Sequence, residues 1–336
     1  MSFNTLSPED FVVSSDSITA TLWSDGTTIL TGSSFFTSSA QSTGSSGNFY
    51  LNVYQTASTL TNAEIQFAAT YGNSVGSGSA YYNASVPGAS PTRTTYGQYR
   101  NLILGDEYSQ FVFGTITSSD FWALSIDRSR YKEKLFPGSL SLTLSGSGGK
   151  LTLTDDSQVS PTVVFNDAGR VYQIVSGSLG TVYTGVNTNG YSAASGSYGW
   201  FLPDIGTILL NPLAISASIQ VSPSRSSNSD GLNYRAIFTS IRSGSSFMLN
   251  SQETISSDYI FIRARNAEFN YTENPSFISG SSGEIVFDSF INNPQTFPTT
   301  IGLYNSTNEL LAVAKLSRPL LKYFTKEALV RVKLDF

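Results

Sequence analysis

The sequence predicts an all-β protein of antiparallel sandwich or barrel domains with at most one or two short helices. Short runs rich in valine, isoleucine, threonine and aromatic residues recur along the chain, separated by clusters of glycine, serine and asparagine. That is the pattern of strands joined by tight turns. Residues 49–54 and 330–336 place alternate side chains on opposite faces, with the period of two that a strand imposes. Helical periodicity, by contrast, is scarce.

In chain order, residues 17–23 read as a strand leading into the turn Ser24-Asp25-Gly26-Thr27 and a second strand at 28–31. Asp25-Gly26 suits a type I′ hairpin turn, in which both central residues need positive φ. Residues 49–54 put Phe49, Leu51 and Val53 on one face and Tyr50, Asn52 and Tyr54 on the other. Residues 94–104 form the one helix with a clear stripe, Tyr96, Tyr99 and Ile103, and Gly105 stands where a C-cap belongs. Residues 139–144 and 150–154 flank Ser145-Gly146-Ser147-Gly148-Gly149, a hairpin whose leucines share a face. Further strands are expected at 169–175, 207–210, 232–241, 259–263 and 284–287. Residues 300–304 and 310–316 flank the four-residue loop Asn305-Ser306-Thr307-Asn308, and 324–329 add a helical turn. Val330, Val332, Leu334 and Phe336 then alternate with Arg331, Lys333 and Asp335 in an amphipathic last strand. Residues 222–231 read as an exposed loop. No period of 20–50 residues repeats, which argues against a solenoid or propeller. Two domains are expected, 1–160 and 161–336.

Composition narrows the chemistry. The 336 residues include no histidine and no cysteine. A Ser-His-Asp triad, an imidazole base, a thiolate nucleophile, a disulfide and a cysteine-ligated metal are thereby excluded. Charged residues are 13% of the chain, against about 25% in an ordinary domain. Aromatics also reach 13% and the net charge is only −5, so the chain has the means to fold. A pI near 4.8 argues against nucleic acid as a partner. The densest basic cluster, Arg128, Arg130, Lys132 and Lys134, is interrupted by Asp127 and Glu133, which suits a solvated or salt-bridged face.

The first ten residues lack the basic and apolar regions of a signal peptide. The longest apolar stretch, 205–213, is broken by Gly206, Asn211 and Pro212, far short of the ~20 residues that span a bilayer. Synthesis in the cytoplasm with no membrane partner is expected. The sequons at Asn83, Asn270 and Asn305 then read as chance matches.

Candidate sites are each outweighed by plainer readings. Ser147-Gly148-Gly149-Lys150 superficially suggests a phosphate loop, but Leu144 and Leu151 stand where glycine and Ser/Thr belong. Gly76-Ser77-Gly78-Ser79 lacks a base for a nucleophilic serine. Paired carboxylates able to cleave glycosides would come from Asp155 with Asp156, Asp106 with Glu107, or Glu268 with Glu273. Neighbouring acids on a strand point to opposite faces. A calcium site at Asp155 and Asp156 lacks the spaced run of oxygen ligands. Trp23, Trp122, Trp200, Tyr81, Tyr82, Tyr96 and Tyr99 are expected in the core first, at interfaces second and on carbohydrate third. No catalytic, cofactor-binding or metal-binding residue is assigned.

The C-terminal part carries a resemblance. The run Thr299-Thr300-Ile301-Gly302-Leu303-Tyr304-Asn305, then Asn308-Glu309-Leu310-Leu311-Ala312-Val313-Ala314-Lys315-Leu316-Ser317, precedes Phe324-Thr325-Lys326-Glu327-Ala328-Leu329-Val330-Arg331-Val332-Lys333-Leu334-Asp335-Phe336. With Tyr99-Arg100-Asn101-Leu102-Ile103-Leu104, Arg130-Tyr131-Lys132-Glu133-Lys134-Leu135 and Gly169-Arg170-Val171-Tyr172, it resembles structural proteins of large contractile-tailed bacteriophages, including those of cyanobacteria. The resemblance implies a non-catalytic virion protein, placed in the tail or baseplate. It would assemble symmetrically with copies of itself and with other phage structural proteins, without cofactor. The alternative is a fibre-associated adhesin holding host glycans on loop aromatics, with a carbohydrate-cleaving enzyme third.

Overall fold

The computed structural model describes residues 4–23, 29–31, 37–38, 50–56, 59–76, 92–160, 162–183, 197–224, 233–280 and 283–335. The chain divides into two compact units, Ile18–Glu253 and the discontinuous pair Met1–Ser17 with Thr254–Phe336. In chain order the first strands are β1 (Phe11–Thr21), β2 (Ile29–Thr31), β3 (Thr37–Ser38), β4 (Tyr50–Tyr54) and β5 (Ile65–Asn73). Helix α1 (Thr92–Leu104) follows, then β6 (Phe111–Phe113), β7 (Ile116–Ser118), β8 (Asp120–Ile126), β9 (Lys134–Leu135), β10 (Ser141–Gly146) and β11 (Gly149–Asp155). Next come β12 (Val164–Asn166), β13 (Gly169–Ser178), β14 (Thr181–Val182), β15 (Gly199–Leu202) and β16 (Thr207–Leu210). Helices α2 (Pro212–Ile219) and α3 (Asn233–Gly244) lead to β17 (Ser246–Met248) and β18 (Asn250–Ala264). Last are β19 (Ile278–Ser279), β20 (Glu284–Ile285), α4 (Asp288–Asn292), β21 (Thr300–Tyr304), β22 (Leu310–Lys315) and β23 (Ala328–Asp335). The fold is all-β.

The larger unit is built on one antiparallel sheet in the order β2-β17-β10-β11-β13-β15-β16-β8-β5-β4-β3, with β12 and β14 paired to β13. Helix α3 packs on β10 and β17 near one end of that order and on β5 and β4 near the other, so the sheet curls around it. Alternation along the central strands serves both faces. Trp122, Leu124 and Ile126 of β8 join Ile208, Leu210 and Phe201 and the helix residues Ile215, Ile219, Ile237 and Ile241 in the inner core. Phe121 and Ala123 join Leu209, Trp200, Leu202 and Val171 in an outer core, covered by Tyr96 and Ile103 of α1 and by Phe111 and Phe113. The two-residue turn Ser147-Gly148 closes the β10–β11 hairpin, in which Leu142 faces Leu153 and Leu144 faces Leu151. All four leucines are buried.

Five expectations need correction. The boundary at 160/161 falls inside the large sheet, because β11 pairs with β13 across it. The described residues hold four α-helices, not one or two. Residues 233–244 are helix α3 rather than a strand: Tyr234, Ile237, Phe238 and Ile241 are buried at the i, i+3, i+4, i+7 spacing of a helix face. In α2, Asn211 accepts the Leu213 N–H at 3.1 Å and Pro212 occupies the first turn, so residues that look like breakers are its cap. Of the strand expected at 284–287 only Glu284–Ile285 forms, and α4 starts directly afterwards. The helical turn expected at 324–329 is an irregular turn at Phe324–Thr325, and β23 has begun by Ala328. The turn at 24–27, Phe49, Tyr81 and Tyr82, Ser77–Ser79 and most of the 222–231 loop lie outside the described residues.

Candidate functional site: an apolar groove in the smaller unit

In the smaller unit β18 pairs with β23 in a continuous antiparallel register from Ser257↔Asp335 to Ala264↔Ala328. That register sorts side chains by face. Ile260, Ile262 and Ala264 share one face with Ala328, Val330, Val332 and Leu334. Tyr259, Phe261 and Arg263 share the other with Leu329, Arg331 and Lys333. The outward face is stitched by charge: the Arg331 guanidinium and the Lys333 ammonium lie 5.4 and 5.8 Å from the Tyr259 ring centre. Ser257 donates to Asp335 at 2.7 Å and Lys333 pairs with it at 2.9 Å. The Ser257 hydrogen bond, then the Lys333 bond, hold the Asp335 carboxyl below its usual pKa.

The hairpin β21–β22 is a separate two-stranded sheet. Its loop is ordered by Asn305, whose Oδ1 accepts from Thr307 N, Thr307 Oγ1 and Glu309 N at 3.0, 2.7 and 2.8 Å. Asn308 takes the left-handed conformation (φ +65°) that asparagine tolerates. Between the hairpin and the apolar sheet face runs an open groove of about 1500 Å³, lined by Phe11, Ile262, Phe269, Ile301, Leu303 and Leu320 among others. On the hairpin, Leu310, Leu311 and Val313 are 53, 67 and 58% exposed. Besides Pro294, the described apolar side chains buried in this unit are only Ile260, Ala328 and Val332. A unit with so small a core leaves much apolar surface exposed to solvent.

Most residues singled out by motif lie elsewhere. Gly148 and Gly149 belong to a hairpin, not to a loop opening a helix. Asp106 is exposed and accepts from Tyr108 N and Ser109 N at 2.7 and 2.5 Å; the Ser109 hydroxyl first, then these backbone bonds, lower its pKa. Glu268 accepts from Arg265 N at 2.9 Å, whereas Glu273 lines the groove. The basic cluster is paired: Arg130 with Glu64, Lys132 with Glu253, Lys134 with Glu133, and Arg128 with the carbonyls of Tyr131 and Lys132. Trp23, Trp122, Trp200 and Tyr96 are buried in the two cores of the larger unit, and Tyr99 packs against the outer one. Among the described residues no three acidic side chains gather as a metal site, and no helix is long and apolar enough to cross a membrane.

Asp155 and Asp156 are both buried and take different partners. Asp155 accepts from Gly138 N at 2.8 and 3.0 Å, and Asp156 from Gln173 N at 2.9 Å. Burial outweighs these bonds and raises both pKa values. A folded-state pKa above the unfolded one means the folded chain binds the proton more tightly. That contribution is full below the unfolded pKa and is lost as pH rises through the folded one. Asp155→Asn keeps an oxygen acceptor for Gly138 and removes the charge. Urea unfolding across pH should therefore show the stability gap between D155N and wild type moving in the variant's favour as pH rises. A gap that stays constant contradicts the burial argument.

Comparison with protein-family models, with curated proteins and with solved structures gives no match to this chain. The residues that sequence reasoning passed over are the buried Lys322 and its neighbours at one wall of the groove. Their sequence signal is faint: a single lysine between Leu320-Leu321 and Tyr323-Phe324.

Proposed function

We propose that this chain is a non-catalytic structural subunit of a bacteriophage virion, a tail or baseplate component that assembles by symmetric protein–protein contacts. The observation that carries the reading is the uncovered apolar groove of the smaller unit. Burying apolar surface contributes roughly 25 cal/mol per Å², and a unit with so few buried apolar side chains has more to gain from a neighbour than from its own core. Three of the segments that line the groove, β21, β22 and β23, are among those whose sequence resembles contractile-tailed phage proteins. Unpaired strand edges add backbone donors and acceptors that a neighbouring copy or another virion protein can satisfy.

The test is the composition of purified, fractionated phage particles by quantitative mass spectrometry. The chain should appear with tails in a multiple of three or six, as rotational symmetry of a tail requires. Recovery with heads moves its place in the particle, and absence from particles overturns the reading.

A further inference from the structure

Among the described residues Lys322 is the one lysine or arginine that is buried, at 1% exposure. Its backbone is fixed by a reciprocal pair of hydrogen bonds with Thr296, each 2.9 Å. The Thr296 hydroxyl in turn donates to the Phe269 carbonyl at 2.6 Å. Phe269 is held in the left-handed region (φ +55°), an uncommon state for an aromatic residue, and Asn270 follows it. Asn270 is buried too, and its Nδ2 donates to the Asn266 carbonyl at 2.6 Å. Lys322 Nζ donates to Asn270 Oδ1 and to the Asn266 carbonyl, both at 2.9 Å, and to the Tyr323 carbonyl at 3.4 Å. None of these acceptors is a carboxylate. An amine and a carboxamide are thus held side by side by fixed backbone on both sides.

A buried lysine met only by neutral oxygens lacks a contacting carboxylate to offset the desolvation of its charge. Burial lowers its pKa; Glu268 and Glu327, whose charges reach it, only partly oppose this. The neutral amine is a nucleophile, and fixed proximity to an acyl carbon replaces the encounter that such a reaction otherwise needs.

We propose that Lys322 and Asn270 form an intramolecular isopeptide bond. The Nζ lone pair adds to Asn270 Cγ, and the negative charge gathers on Oδ1. The Cγ–Nδ2 bond then breaks, the proton given up by Nζ passes to Nδ2, and ammonia leaves. The carboxylates whose charges reach Lys322, Glu268 and Glu327, would stabilise the proton in transit. The reaction is redox-neutral and needs no co-reactant. The partners are 52 residues apart in sequence, and between them the only buried described residue is Pro294. The bond therefore closes, at its base, the segment carrying β19, β20, α4 and the β21–β22 hairpin, which has almost no core of its own.

Intact-mass measurement of the purified, folded full chain decides the matter, with peptide mapping to locate any change. The expected wild-type mass is lower than the sequence mass by one ammonia, and a branched peptide should join Asn270 to Lys322. Asn270→Asp should give the same branched peptide with loss of one water instead. Lys322→Met and Asn270→Ala should each show the full mass of their sequences. A folded wild-type chain at its full sequence mass overturns the proposal, as does an ammonia loss that maps to another residue. Because the decisive reading is made on wild type, a variant that fails to fold does not blur it.

Discussion

Trp122→Ala is expected to destabilise the larger unit by about 3–5 kcal/mol, the range for removing a large aromatic from a closed core. Trp122 is fully buried on β8, between β16 and β5 in the sheet. Its ring packs 6.2 Å from that of Tyr71, and its Nε1 donates to the Asn233 carbonyl at 2.9 Å, at the first residue of α3. Alanine removes the packing and the indole donor to that carbonyl, so the sheet loses its hold on the start of the helix around which it curls. Trp122→Phe restores much of the volume but not the hydrogen bond, and should fall between wild type and W122A. Urea midpoints read by circular dichroism give the comparison. Against total stabilities of about 5–15 kcal/mol, that loss is a large fraction of what holds the unit folded. A loss below about 1 kcal/mol would contradict the placement of α3 inside the curl.

The second large effect concerns assembly rather than stability. Leu311→Glu combined with Val313→Glu puts two charges on the exposed side of β22. In the free chain these positions face solvent, so unfolding should shift by no more than about 0.5 kcal/mol per site. In a particle they would be covered, and an unpaired carboxylate buried at an interface costs several kcal/mol. The double variant, supplied to infected cells in place of wild type, should accumulate as folded protein and be depleted from particles at least about tenfold, since 1.4 kcal/mol corresponds to a factor of ten. Normal incorporation would remove β22 from the assembly surface.

Local patterning made the all-β class and the hairpins readable. Leu142, Leu144, Leu151 and Leu153 announce β10–β11 because a single glycine-rich turn brings two alternating strands together. Tyr96 and Ile103 with Gly105 (φ +71°) likewise announce α1. Strand β8 was harder: Phe121-Trp122-Ala123-Leu124 shows no polar alternation, since both of its faces are covered. Helix α3 misleads because isoleucine, phenylalanine and tyrosine favour strands, while its burial follows the helical spacing Tyr234, Ile237, Phe238, Ile241. The two-unit division was out of reach, because Met1–Ser17 and Thr254–Phe336 belong together across more than two hundred intervening residues. The groove was legible as strands but not as a site, since exposure of Leu311 and Val313 depends on what fails to pack over them. The Lys322–Asn270 contact depends on a long-range bridge to Thr296 that no local pattern records.

The most direct test is hydroxyl-radical footprinting of the chain in intact tail particles against the free, folded chain, read by mass spectrometry at Leu310, Leu311 and Val313. Strong labelling in the free chain and protection in the particle is the expected result, with residues such as Tyr108, 90% exposed on the larger unit, serving as an internal reference. Equal labelling of the hairpin in both states would contradict the claim that this groove is the surface through which the protein is built into a virion.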